Sequence, residues 1–247
     1  MFRRALLATI LLTLTALSAG TAWADTLYTM KSHTDSFRVA GETQPAKDAT
    51  VKIWAAGDRL RRDEDGQSMI LRLDTNRLYM VDHADKTYSE ITLPIDLRKM
   101  MPKGSEAMAD QIAAGMKVTV QVTPRDETKK ISQWNAKRYD VNVQSAMGMK
   151  IATTLWVSKD VEGFAPLNKL AATMASLQPG SGEWSKQLEK IDGFPVLTES
   201  RVDALGAQFG TREELVSVET KAAPSGTYDL PAGYKAQAYN PIAGMSQ

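Results

Sequence analysis

Two histidines, twelve methionines and no cysteine bound the chemistry this chain of 247 residues can offer. His83 stands between Asp82 and Asp85, superficially a metal cluster. Neither His33 nor His83 has a second histidine at a ligand spacing, and neither helical stretch carries a His-x-x-x-His pair. The turn chemistry around His83 reads instead as a solvated hairpin tip. Without cysteine there can be no disulfide, thiolate nucleophile or Cys-based metal site. The chain lacks a Gly-x-Ser-x-Gly elbow, a phosphate-cradling Gly-Lys-Ser/Thr loop and a dinucleotide fingerprint. The expectation is a protein that is not an enzyme and needs no cofactor and no metal.

The methionines and one charged run remain. Met100, Met101, Met108 and Met116 surround one helical stretch, Met147 and Met149 flank Gly148, and Met174 lies on a second stripe. Unbranched, polarizable side chains repack around partners of varying shape, which suits an adaptable apolar pocket, although they fill ordinary cores equally well. A thioether copper site would want His or Cys beside it, and neither is near. Arg59, Arg61 and Arg62 with Asp63, Glu64 and Asp65 could meet an anionic headgroup at a groove mouth. Their alternating signs favour an exposed strand that balances its own charge.

The elements that must position these residues begin with a meander over Val51–Thr92. Val51, Ile53 and Ala55 alternate with Lys52 and Trp54, the period of a half-buried strand. Turns follow at Ala56-Gly57-Asp58, Asp65-Gly66, Asp74-Thr75-Asn76 and His83-Ala84-Asp85. Thr26–Val39 reads as a strand before it and Ala40–Ala49 as a loop. Leu97, Met101, Met108 and Ile112 fall at helical spacing, with Ser105 a candidate N-cap and Gly115 a candidate stop. Strands resume over Lys117–Val122, turn at Pro124–Glu127, and continue through Thr128–Trp134, Arg138–Gln144 and Lys150–Val157. Leu167, Leu170, Met174 and Leu177 form a second helical stripe; Trp184, Leu188 and Ile191 form a third. Phe194–Val202 and Thr211–Thr220 read as a final pair, and Tyr228–Tyr234 as an extended tail. Many strands with two helical insertions argue against a doubly wound parallel sheet. The fold class is mainly β (α+β): a curved antiparallel half-barrel sheet whose concave face is covered by a helical lid.

Met1–Ala24 reads as a signal peptide, with Arg3 and Arg4, an apolar run, and Ala22-Trp23-Ala24 before the cut. Removing it leaves 223 residues as a single domain, 25–247, with no transmembrane segment. It takes away two arginines and no carboxylate, so 28 Lys and Arg then face 29 Asp and Glu, a net charge of −1. That balance argues against nucleic acid as a partner. The expected location is the bacterial periplasm.

Residues 54–91, WAAGDRLRRDEDGQSMILRLDTNRLYMVDHADKTYSEI, resemble the core meander of the periplasmic lipoprotein-carrier superfamily. Trp54, Arg59 to Asp63, Met69 to Leu73 and Leu78 to Val81 occupy the places of its successive strands. The chain looks most similar to a proteobacterial family of exported proteins with this carrier-like fold, as do GFPV at Gly193–Val196 and LPAGY at Leu230–Tyr234. The resemblance implies an unclosed barrel whose apolar concavity accepts acyl chains or lipidated polypeptides. The expected partner is therefore a hydrophobic small molecule, lipid or lipidated peptide. The alternative is an envelope structural or stress-signalling module that binds a protein partner through its sheet. From the sheet, Trp54 and Leu71 are the expected lining residues. The first helical insertion would add Met101, Met108 and Ile112, and the second Leu170 and Met174. Were these merely a filled core, Met108→Ala should destabilise the fold.

Overall fold

The computed structural model describes residues 25–39, 41–100, 104–115, 117–146, 148–164, 167–168, 170, 173, 184–204 and 206–239. The signal-peptide reading of Met1–Ala24 and the candidates Met101 and Met174 lie outside them.

Strand β1 (Thr26–Thr34) is the keel of the molecule. On one side it pairs antiparallel with β4 (Lys47–Ala56), on the other with β13 (Ala207–Thr220). From β4 the sheet continues through β5 (Arg59–Glu64), β6 (Gln67–Arg72), β7 (Arg77–Asp82) and β8 (Thr87–Thr92). From β13 it continues through β12 (Phe194–Ala204), β11 (Lys150–Ser158), β10 (Trp134–Ser145) and β9 (Val118–Ile131). A short β14 (Lys235–Gln237) joins the β8 edge in parallel, giving twelve strands in one open, curved sheet. Two consecutive meanders are thus stitched together by the first strand.

The turn residues explain the first meander. Asp65, Asn76 and Lys86 have φ of 48°, 53° and 53°, and Gly57 and Gly66 are also left-handed. These are the conformations that tight hairpin turns demand. Register then assigns the faces: Ile53, Arg62 and Met69 lie side by side, as do Ala55, Leu60, Leu71, Leu78 and Ile91. This concave face carries the main core, with Tyr28, Met30, Val51, Phe194 and Leu215. A smaller core joins Val120, Val122, Tyr139, Val141 and Val157. Leu97 of α1 (Leu97–Met100) and Ala109 of α2 (Glu106–Gly115) are buried. Ser105 opens α2 by accepting the Ala109 N–H at 2.9 Å, and Arg98 grips Asp110 at 2.8 Å through two bonds.

Four expectations need correcting. Pro124–Glu127 is not a turn, because β9 runs unbroken across it. β9 is an edge strand, where proline's missing N–H leaves no ladder bond unmade. The Thr26–Val39 strand stops at Thr34, and residues 47–49 of the expected loop belong to β4. The end of that strand forms β2 (Phe37–Val39), which pairs in a hairpin with β3 (Glu42–Gln44) from the expected loop. There Phe37 stacks on Phe209, centroids 4.4 Å apart. The tail is turned, with Thr227 N–H bonded to Pro224 and Asp229 N–H to Gly226. The charged strand β5 is half-buried, Arg61 and Arg62 keeping 17% and 27% of their side-chain surface, because the tail covers one and the groove described next encloses the other.

Candidate functional site

Between the concave face and the chain that precedes β12 lies a groove of about 450 Å³. Met30, Ile53, Leu155, Leu188, Ile191 and Phe194 give it apolar walls. Their strands bring them there by alternation: Ile53 beside Tyr28 on β1, Leu155 beside Thr198, and Thr198 beside Glu213. Leu188 ends α3 (Trp184–Leu188), which rests on β9, and Leu167 enters from the preceding helical residues.

Two hydrogen bonds hold the covering chain, one to the sheet and one within the cover just before β12. Tyr28 donates its hydroxyl to the Gly163 carbonyl at 2.7 Å. Asn168 donates to the Gly193 carbonyl at 3.0 Å. Tyr28 also stacks on Phe194, centroids 5.0 Å apart and planes within 11°. Burial pushes its phenol up to about 12, against a weaker opposing bond from Thr26.

A charged pair, Arg62 and Glu213, enters the apolar wall. Arg62 bonds Glu213 at 2.6 Å and Glu64 at 2.7 Å. Arg62 and Glu213 stand three strand positions apart, on β5 and β13, so their contact reaches over β4 and β1 on the inner side of the sheet. Burial alone would pull the guanidinium down, but the two carboxylates outweigh it and hold it above its ordinary value. A half-buried cation so paired is a fixed part of the wall, since removing either partner leaves a charge less compensated.

The expected lining residues separate. Leu71 and Leu170 are buried in the main core, on the groove's side of the sheet. Trp54 is on the opposite face, beside Leu27 and Arg61, with Lys221 Nζ 5.6 Å from its ring centre. It cannot share a pocket with Leu71, because residues in adjoining register positions point to opposite faces. Ile112 is half-buried, and Met108 keeps 51% of its surface exposed. The walls that sequence reasoning missed, Leu155, Ile191 and Phe194, come from strand alternation in the second meander and from the residues around GFPV. The Arg62–Glu213 pair had no local signal, for its members are 151 residues apart.

The other face of the first meander holds a second polar cluster. Ser68 Oγ donates to Asp63 at 2.5 Å and accepts from Arg61 at 3.0 Å. It lies 2.6 Å from His83 Nε2, which must therefore be the donor there. His83 Nδ1 then accepts from the Tyr234 hydroxyl at 2.8 Å. His83 is thus a half-buried link and not a solvated tip, corrected by a tyrosine 151 residues away. Ser68 is buried and its hydroxyl is spent on Asp63, so this is a fastening and not a nucleophile's arrangement. Among the described residues, no group of three or more His, Cys, Asp or Glu is placed to hold a metal. No described helix is long and apolar enough to cross a membrane.

Sheet and groove define an open half-barrel β protein with a partial helical cover. The chain belongs to the family described as a domain of unknown function, DUF4412, whose profile matches residues 42–234. No curated protein matches it. Among solved structures it is similar to PNGF-II in space group C2, at 10% identity and TM-score 0.39 over 87% of this chain. It spans only 31% of the PNGF-II chain. It is also similar to MucB, at 13% identity and TM-score 0.31, covering 86% of this chain and 58% of that one. A third is a putative outer membrane lipoprotein-sorting protein domain from Vibrio parahaemolyticus, at 7% identity and TM-score 0.30, covering 84% and 90%. At such scores the likenesses say nothing of ligand or partner.

Proposed function

We propose that this chain is an exported, non-catalytic binding protein for a hydrophobic ligand, a lipid, acyl chain or lipidated peptide, held in the concave groove. The observation that carries the reading is the groove itself, about 450 Å³ walled by Met30, Ile53, Leu155, Leu188, Ile191 and Phe194. Volumes of this order, mostly apolar with a few fixed polar groups, are those of small-molecule sites. Each methylene drawn from water into such walls gains about 0.8 kcal/mol before ordering costs. The Arg3-Arg4 and Ala22-Trp23-Ala24 leader pattern supports export to the periplasm.

The test is native mass spectrometry of the protein purified gently from a bacterial periplasm, followed by solvent extraction. A stoichiometric lipid-sized adduct, lost in a Leu188→Asp variant that stays folded, is the expected result. A clean apo mass with no uptake of offered lipids or acylated peptides would overturn the reading and turn attention to protein partners of the sheet.

A further inference from the structure

We infer that the groove selects its occupant by head charge: it takes amphiphiles whose polar end is cationic or uncharged and disfavours anionic ones. The inference rests on the hydrophobic-ligand reading above and adds the chemistry of the head. Among the described residues that line the groove, the charged side chains are Arg62, Glu189 and Glu213. Arg62 is the one cation, and its guanidinium is already engaged by Glu213 at 2.6 Å and by Glu64 at 2.7 Å. An anionic head would have to displace a carboxylate from a half-buried arginine, leaving that carboxylate uncompensated. Glu189, exposed and without an ion pair among the described residues, adds a negative charge at the groove's rim.

The surroundings lean the same way. On the far side of Arg62 a hollow of about 430 Å³ opens between Ser32, Thr34, Met69 and Met80. Its lysine, Lys47, is tied to Asp65 and so offers no free cation. A tail in the apolar groove therefore brings a head to a boundary where Glu64 and Glu213 hold the one guanidinium and Glu189 adds its charge at the rim. The serine and threonine hydroxyls of the hollow can serve a neutral head by hydrogen bonding.

Three amphiphiles with the same dodecyl tail and different heads test this: dodecyltrimethylammonium, dodecyl maltoside and dodecanoate, each titrated below its micelle concentration by calorimetry. At low salt the ammonium should bind tightest and dodecanoate weakest, apart by on the order of tenfold. Added salt should narrow the gap, since charge at the rim is screened. Glu189→Gln, an exposed change that leaves the core alone, should weaken the ammonium and strengthen dodecanoate without moving the maltoside. Dodecanoate binding as tightly as the ammonium would overturn the head-charge inference while leaving the hydrophobic-ligand reading standing. Failure of all three tails to bind would remove both.

Discussion

At Gly193 the backbone runs at φ +135°, and a Cβ there would lie 2.6 Å from the Ser158 carbonyl oxygen. Its own carbonyl receives the Asn168 amide that pins the groove's cover. Gly193→Ala should therefore cost about 3 kcal/mol, from backbone strain and the forced retreat of β11. Gly226→Ala is the control: its φ is +80° but a Cβ there meets open space, so only about 1 kcal/mol of left-handed strain should appear. Urea midpoints for the two variants check the difference. The same reasoning sorts the helical candidates. Leu170 is buried in the main core, so Leu170→Ala should lose about 2–5 kcal/mol. Met108 is half exposed, so Met108→Ala should stay within about 0.5 kcal/mol, the reverse of what a filled core would give. A Met108→Ala loss as large as that at Leu170 would mean that the first helical insertion packs Met108 against the core.

The C-terminal segment behaves as one element, a strap across the outer face of β5 to β8. Arg61 donates to the Thr227 carbonyl, Arg72 reaches Asp229, and Arg59 lies 5.0 Å over the Tyr228 ring. Lys235 N–H then bonds Lys86 to begin β14. Tyr234→Phe removes the donor to His83 Nδ1 and should cost about 1 kcal/mol, felt locally. Hydrogen exchange should quicken at the Lys235 amide and leave the β1–β13 ladder unchanged; a uniform change would mean the strap is part of the global fold. How far elements were legible follows from the range of what fixes them. Gly57, Asp65-Gly66 and Asn76 set their turns locally, so the meander could be read from its own residues. The polar partners of β5 and His83 lie in Glu213, Thr227 and Tyr234, distant in the chain, so burial of that strand and hairpin could not. Pro124 misled for a related reason: its effect depends on whether its strand has a neighbour on that side, which only the whole sheet decides.

Across the whole molecule, acid and base should each open the fold by a different route. Arg72 holds the Asp74 carboxyl below its ordinary value, and Arg125 with Arg138 outweighs burial to do the same at Asp140. Folding thus favours their ionised forms; that stability is present above pH ~4 and is lost as the pH falls through their lowered values. His33, drawn up by its bond to Asp48 against desolvation, adds only a small stability, because solvent screens it. That part is present below its unfolded value and lost as the pH rises through its raised one. Tyrosine works in the other direction. Burial raises both Tyr28, to about 12, and Tyr228. An unfolded phenol ionises near pH ~10, so the folded chain retains protons that the unfolded chain gives up. The stability these two contribute is whole below pH ~10 and disappears as the pH climbs toward their folded values. Tyr28 couples this limb to the groove, since its ionised oxygen could no longer donate to the Gly163 carbonyl and would be left as a buried charge. Urea midpoints measured against pH should fall on both sides of a broad neutral plateau, and ligand retention should fall along the alkaline limb with them. Tyr28→Phe should lower the plateau by about 1 kcal/mol for the lost hydrogen bond and make the alkaline limb shallower. An alkaline limb of unchanged slope in Tyr28→Phe would show that other groups open the sheet in base and that the cover is not released through this phenol.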